Sequence, residues 1–138
     1  MKRFNLFLCL VVVLALAGPV MAQTWHPANQ GTVGWDPVAP IEATDVIMYQ
    51  LYIRQDLVSN GVPAGPEISA TQATITFPEG RWFVGAKTIR YPAGETVGIP
   101  SESTSWSSNA SDCAADGPFG FKSFVAALAP GGLRRVAP

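Results

Sequence analysis

Cysteine is nearly missing from this chain: two residues in 138, Cys9 and Cys113. Cys9 lies in an apolar run at the N-terminus, so if that run is removed no internal disulfide can form, and a disulfide-stapled scaffold is excluded. Cys9 is also remote from the expected cut, whereas a lipid-anchored bacterial protein needs Cys directly after it. Histidine occurs once, as His26, followed by Pro27. A single imidazole has no partner at metal-ligand spacing and would put the base of a Ser-His-Asp arrangement near a chain end, so the sequence carries neither a metal site nor that triad. Clustered basic residues are absent before Arg134 and Arg135. Nucleic acid is thereby disfavoured, because displacing counterions from phosphates takes grouped Lys and Arg. No basic amphipathic helix is present to hold a membrane surface.

Long apolar runs are missing as well. The longest, Leu6 to Ala17, is short of the roughly 20 residues that cross a bilayer. It follows Lys2 and Arg3 and precedes "VMAQ", with Val20 and Ala22 as the small residues before a cut. That is the pattern of a secretory signal peptide, expected as a helix over residues 1–22 with the mature chain starting at Gln23. Of the 138 residues 116 then remain, enough for one domain with one modest core. Two of the nine basic residues leave with the signal, so seven face ten acidic ones and the mature chain is mildly acidic. No stable membrane span is expected after cleavage, and the setting is secreted, periplasmic or cell-surface.

What is there reads as strands. "GTVGWDP" puts Val33 and Trp35 on one face and stops at Asp36-Pro37. "DVIMYQLYIRQ" places Ile47, Tyr49, Leu51 and Ile53 at period two, and its Ile, Val and Tyr content favours a strand over a helix. "DLVSNGVPAGPEIS" is a turn-rich connection. "ATQATITF" aligns Ala73, Ile75 and Phe77; "RWFVGAKTIRY" aligns Trp82, Val84, Ala86 and Thr88; "SESTSWSS" is a weaker last strand around Trp106. Short strands between turns, with no sustained helical period before residue 119 outside the signal peptide, predict an all-β sandwich or barrel.

The succession "VGWDP", "YQLYIR", "ATITFPEGRWFVGAKTIR" and "GIPSES" resembles a fibronectin type III domain over about Thr24 to Ser108. The resemblance implies an immunoglobulin-like, two-sheet β-sandwich over residues 23–108. It implies Trp35 at the centre of the core and "FPEG" as the corner where the chain changes sheets. Trp82 stands where that family usually has a Tyr whose hydroxyl bonds back to the upstream chain; an indole offers only an N–H, so the corner bond is expected to be missing or re-routed. Residues 109–138 read as a linker and C-terminal tail. "APGGLRRVAP" looks like the start of a truncated second repeat, and the other reading has Phe119 to Leu128 docking back on the domain. Asn109-Ala110-Ser111 fits a glycosylation triplet.

No catalytic constellation is legible, and no enzyme activity or cofactor is expected. The carboxylates Asp36, Glu42, Asp45, Asp56, Glu67, Glu79, Glu95 and Glu102 are scattered through turns and strand ends, where solvation suffices to explain them. The glycines of "YPAGETVG" precede no helix that would cradle a phosphate. Alternation instead directs Met48, Tyr52 and Phe83 outward on neighbouring strands, beside Arg54, Arg81 and Lys87, as a candidate partner-binding patch. The loop from Tyr91 to Pro100, with Tyr91 and Glu95, is a second candidate; it holds no Arg-Gly-Asp. Cys113 is a candidate for an intermolecular disulfide. The expected function is an exported, non-catalytic binding or spacer module for an as yet unknown protein or glycan partner. The alternatives are a structural subunit that assembles through its tail or Cys113 as a disulfide-linked dimer, and, on family analogy alone, an accessory domain of carbohydrate-processing machinery.

Overall fold

The computed structural model describes residues 22–114 and 116–124. The expected signal helix and the tail beyond Phe124 lie outside the described residues. Within them the chain is all-β, arranged in two sheets, with no α-helix. The strands are β1 Thr24–Pro27, β2 Gln30–Gly34, β3 Val46–Arg54, β4 Val62–Pro63, β5 Gln72–Thr76, β6 Gly80–Tyr91, β7 Ile99–Pro100, β8 Ser105–Trp106 and β9 Phe119–Ser123. A short 3-10 turn covers Ala110–Asp112.

β6, twelve residues long, organises the larger sheet. One edge, from Phe83 to Tyr91, pairs antiparallel with the whole of β3, from Val46↔Tyr91 to Arg54↔Phe83, and β3 in turn carries β4. The other edge is filled in sequence by β9 at Gly80–Trp82, β8 at Gly85–Ala86 and β7 at Ile89–Arg90. β1 then runs parallel to β9 on the outside. The smaller sheet is β2 against β5, antiparallel, in the register Val33↔Ala73.

The core lies between the sheets. The residues that alternation assigns inward, Val33, Leu51, Ile53, Ile75, Phe77 and Val84, are buried together, and full burial of an aliphatic or aromatic side chain contributes roughly 1.5–3 kcal/mol. Its centre is an aromatic stack: the rings of Phe77 and Phe121 lie 4.6 Å apart and 18° from parallel. Gly31 makes this possible, because a Cβ there would collide with the Phe121 ring. Trp35, expected at that centre, is half-buried at the edge of the cluster instead, packed edge-to-face on Tyr49 at 5.4 Å. Phe121 has taken the volume opposite β2.

The domain therefore extends past the expected boundary at Ser108. β9 is hydrogen-bonded into the larger sheet, Phe121 is 6% exposed, and the buried Ser123 hydroxyl donates to the Phe77 carbonyl at 3.1 Å. Of the two tail readings, docking back is the arrangement observed for residues 119–124; Val125 to Leu128 lie outside the described residues. The physical reason is visible in β9 itself, where Phe119, Phe121 and Ser123 share one face at period two. At the "FPEG" corner Gly80 adopts φ +133°, a conformation that favours glycine. There the Trp82 indole N–H donates to the Pro78 carbonyl at 2.8 Å, so the corner bond is re-routed through nitrogen rather than lost.

Replacing Phe121 with Ala is expected to destabilise the chain by about 3–5 kcal/mol, as for other aromatics deleted from cores. A denaturant titration checks it: were residue 121 part of a detached tail, the midpoint would move by less than about 0.5 kcal/mol equivalent.

Candidate functional site

Each sequence candidate can be placed. Met48 and Tyr52 lie on the outer face of the larger sheet and are half-buried. Phe83, expected to be exposed beside them, is 5% exposed. Its outward direction holds, since neighbouring Val84 is in the core. It is covered by Trp25, whose ring centroid is 5.2 Å away. β1 delivers that indole by running beside β9, and Arg81 and Lys122 sit over it, each 5.7 Å from the ring centroid. The three residues thus do not form one open apolar patch. Tyr91 is half-buried and its hydroxyl donates to Glu67 at 2.7 Å; hydrogen bonding to that carboxylate, with desolvation, raises the hydroxyl's pKa. Glu95 is exposed in a turn closed by its own N–H on the Pro92 carbonyl.

A second closure of the outer face was not legible from the sequence. Trp106 is buried and lies over Gly85, and the Arg54 guanidinium stacks 3.9 Å above its ring. Arg54, 7% exposed, donates to the Ser59 carbonyl at 2.9 Å and to the Ser108 hydroxyl at 3.0 Å. Burial lowers its pKa and the Asp56 carboxylate opposes the shift. Arg54 is thus a structural cation and not the rim of a docking patch. Other carboxylates have local duties. Asp56 accepts from the Val58 and Ser59 N–H groups. Asp45 receives the Arg90 Nε at 2.6 Å with its own side chain only 1% exposed; that bond first, and the Glu42 N–H next, hold its carboxyl below the usual range.

A cleft of about 560 Å³ opens elsewhere, between the sheets on the β1–β9 side. Its floor is apolar, built from Val33, Leu51, Val84, Ala86, Phe119 and Phe121. One wall is the end of β2, Thr32 to Gly34, with Trp35 after it; the other is β8 with the loop that follows it. The Trp35 indole N–H is buried and has no acceptor among the described residues. His26 lines the cleft and packs against Phe119 and Phe121, with centroids 6.2 and 5.8 Å away. Cys113 lies on the second wall, half-buried, its Sγ 3.4 Å from the Ser107 carbonyl. The loop carrying it is pinned by Asp112, which accepts from the Trp106 N–H at 3.0 Å and the Asn109 amide at 2.9 Å. Burial, and then the Asp112 charge, push the Cys113 thiol up. Among the described residues no three His, Cys, Asp or Glu side chains are grouped to hold a metal ion. No protein-family model, curated protein or solved structure matches the chain.

The thiol of Cys113 is expected to react slowly. A disulfide reagent added across a pH series should give a rate midpoint above that of the urea-unfolded chain, because only the thiolate attacks. Equal or faster reaction of the folded chain would contradict the environment described. Stability follows the same sign. Below the ordinary thiol range both states hold the proton, and as pH rises through it the unfolded chain releases first, so this contribution to stability is lost on the alkaline side.

Proposed function

We propose that the chain is an exported, non-catalytic binding module of the fibronectin type III-like kind, and that its recognition site is the cleft beside β2. The cleft carries the reading. It is concave, apolar-floored and bordered by a few polar groups, the form that binding sites take, whereas the outer-face residues are half-buried or covered by the chain's own Trp25 and Trp106. Support for the fold family comes from pairing. The second and fifth strands make one sheet, and the third, sixth and last lie in the other, as in immunoglobulin-like sandwiches. The Trp82 bond at the sheet-changing corner does the work of the family's Tyr. Assembly through Cys113 has less support, since that thiol is half-buried and its pKa is raised.

The test is capture from native exported material, followed by titration of the recovered partner against the purified chain. Binding should be saturable and should weaken about tenfold or more with Ser105→Trp, which sets a large ring at the cleft's exposed mouth. A partner indifferent to that substitution binds elsewhere, and absence of any saturable partner would remove the binding reading.

A further inference from the structure

β2 has an unused edge. The Trp35 N–H donates to the Thr71 carbonyl and the Phe77 N–H to the Asn29 carbonyl, so the odd-numbered residues from 29 to 35 turn their backbone groups toward β5. In an antiparallel ladder the intervening residues point the other way. Thr32 and Gly34 therefore direct N–H and C=O groups away from β5, and among the described residues these groups have no hydrogen-bond partner. Among the described residues no strand lies there, because β1, the preceding strand, pairs with β9 in the other sheet. Thr32 and Gly34 are also residues of the cleft wall. An unpaired row of backbone groups thus borders an apolar cavity.

Resting on the cleft as the recognition site, we propose that this site works by strand addition: an extended segment of a partner protein pairs with the free edge of β2. Its alternate side chains point into the cleft, so they are small and apolar, and the intervening ones face water. Charge adds a further term. Asp112 and Asp116 border the cleft and, among the described residues, no Lys or Arg does, so the segment carries a Lys or Arg at the end that reaches these two carboxylates. A small molecule would fill the cavity but leave the strand edge unpaired, whereas a peptide backbone satisfies both. Unpaired edges accept strands readily, which is why proteins usually blunt them. β2 has no Lys, Pro or bulge to do so.

The test starts from random displayed peptides about ten residues long, roughly a strand's length, selected on the full chain. The enriched sequence is synthesised and titrated by fluorescence anisotropy, with amide resonances followed in parallel. Gly34→Pro removes an outward N–H without touching the β2–β5 ladder and should cost about tenfold in affinity, the equivalent of one or two hydrogen bonds. The matched Gln72→Pro, on the outer edge of β5, should change it by less than about twofold. A peptide methylated at alternate backbone nitrogens should fail to bind the unaltered protein, which keeps the test independent of whether Gly34→Pro folds. The Thr32 and Gly34 amides should shift and gain exchange protection on binding.

Several results would overturn strand addition: no enriched peptide, equal binding by Gly34→Pro, or full affinity of the methylated peptide. So would protection of Thr32 and Gly34 already present without peptide, whether it rises with protein concentration, assigning the edge to a second copy, or vanishes on deletion of residues 125–138, assigning it to the chain's own tail. A native partner that binds the unaltered chain and Gly34→Pro equally overturns strand addition alone. A selected peptide that binds as described, with no native partner recovered, supports strand addition and counts only against the wider binding reading.

Discussion

The contact on which the rest of the molecule depends is the stack of Phe121 on Phe77 beneath Gly31. It needs a bare backbone on β2, so that the ring can enter, and a partner ring at the end of the β5 segment. Once Phe121 is seated, β9 lies along β6 and the larger sheet gains its far side. β1 then finds its hydrogen-bond partner in β9 and brings Trp25 over Phe83. Each step removes apolar surface from water, and each follows from the one before. Among the described residues, the same choice leaves β2 with a neighbour on one edge only. Closure of the domain and the open cleft are thus two results of one packing decision.

Much of the strand pattern was legible because period two is a local property. Tyr49, Leu51, Ile53, Ile75, Phe77 and Val84 are buried as their spacing indicates. The third strand runs beside the sixth along the whole of its own length. What escaped was every feature that joins distant segments. The face of Phe83 follows from its neighbours, but its cover comes from Trp25, fifty-eight positions earlier in the chain, through a parallel pairing that leaves no periodic mark. β9 follows a polar, turn-rich stretch and reads as the beginning of a tail; only the alternation of Phe119 and Phe121 hinted otherwise. Arg54 looked like a surface charge because its burial depends on Trp106 and the loop to Ser59. Trp35 was misplaced by analogy, since the resemblance that assigns it the core's centre does not know of Phe121.

For the site the division is similar. Strand alternation gives Met48, Tyr52 and Phe83 a common direction, and direction does not report whether another part of the chain lies above. The cleft has no local signature: its walls come from β2 and from the β8–β9 connection, about seventy residues apart. The free edge of β2 is subtler still, being a missing pairing, which becomes visible only when all strands are in place. Several carboxylates that were scattered in sequence prove to hold turns and ion pairs, Asp45 with Arg90 and Asp56 with the Val58 and Ser59 amides among them.

Residue-resolved hydrogen exchange under native conditions reads the central claim directly, since it reports closure by β9 and the bare β2 edge in one experiment. The Thr24 and Ala28 N–H groups donate to the Pro118 and Lys122 carbonyls, so the odd residues of β9 face β6. The amides of Phe121 and Ser123 should accordingly exchange only through global opening, as slowly as those in the β3–β6 ladder. The amides of Thr32 and Gly34 should exchange orders of magnitude faster, although Val33 between them is slow. Rapid exchange at Phe121 and Ser123, at the pace of a frayed terminus, would contradict the account.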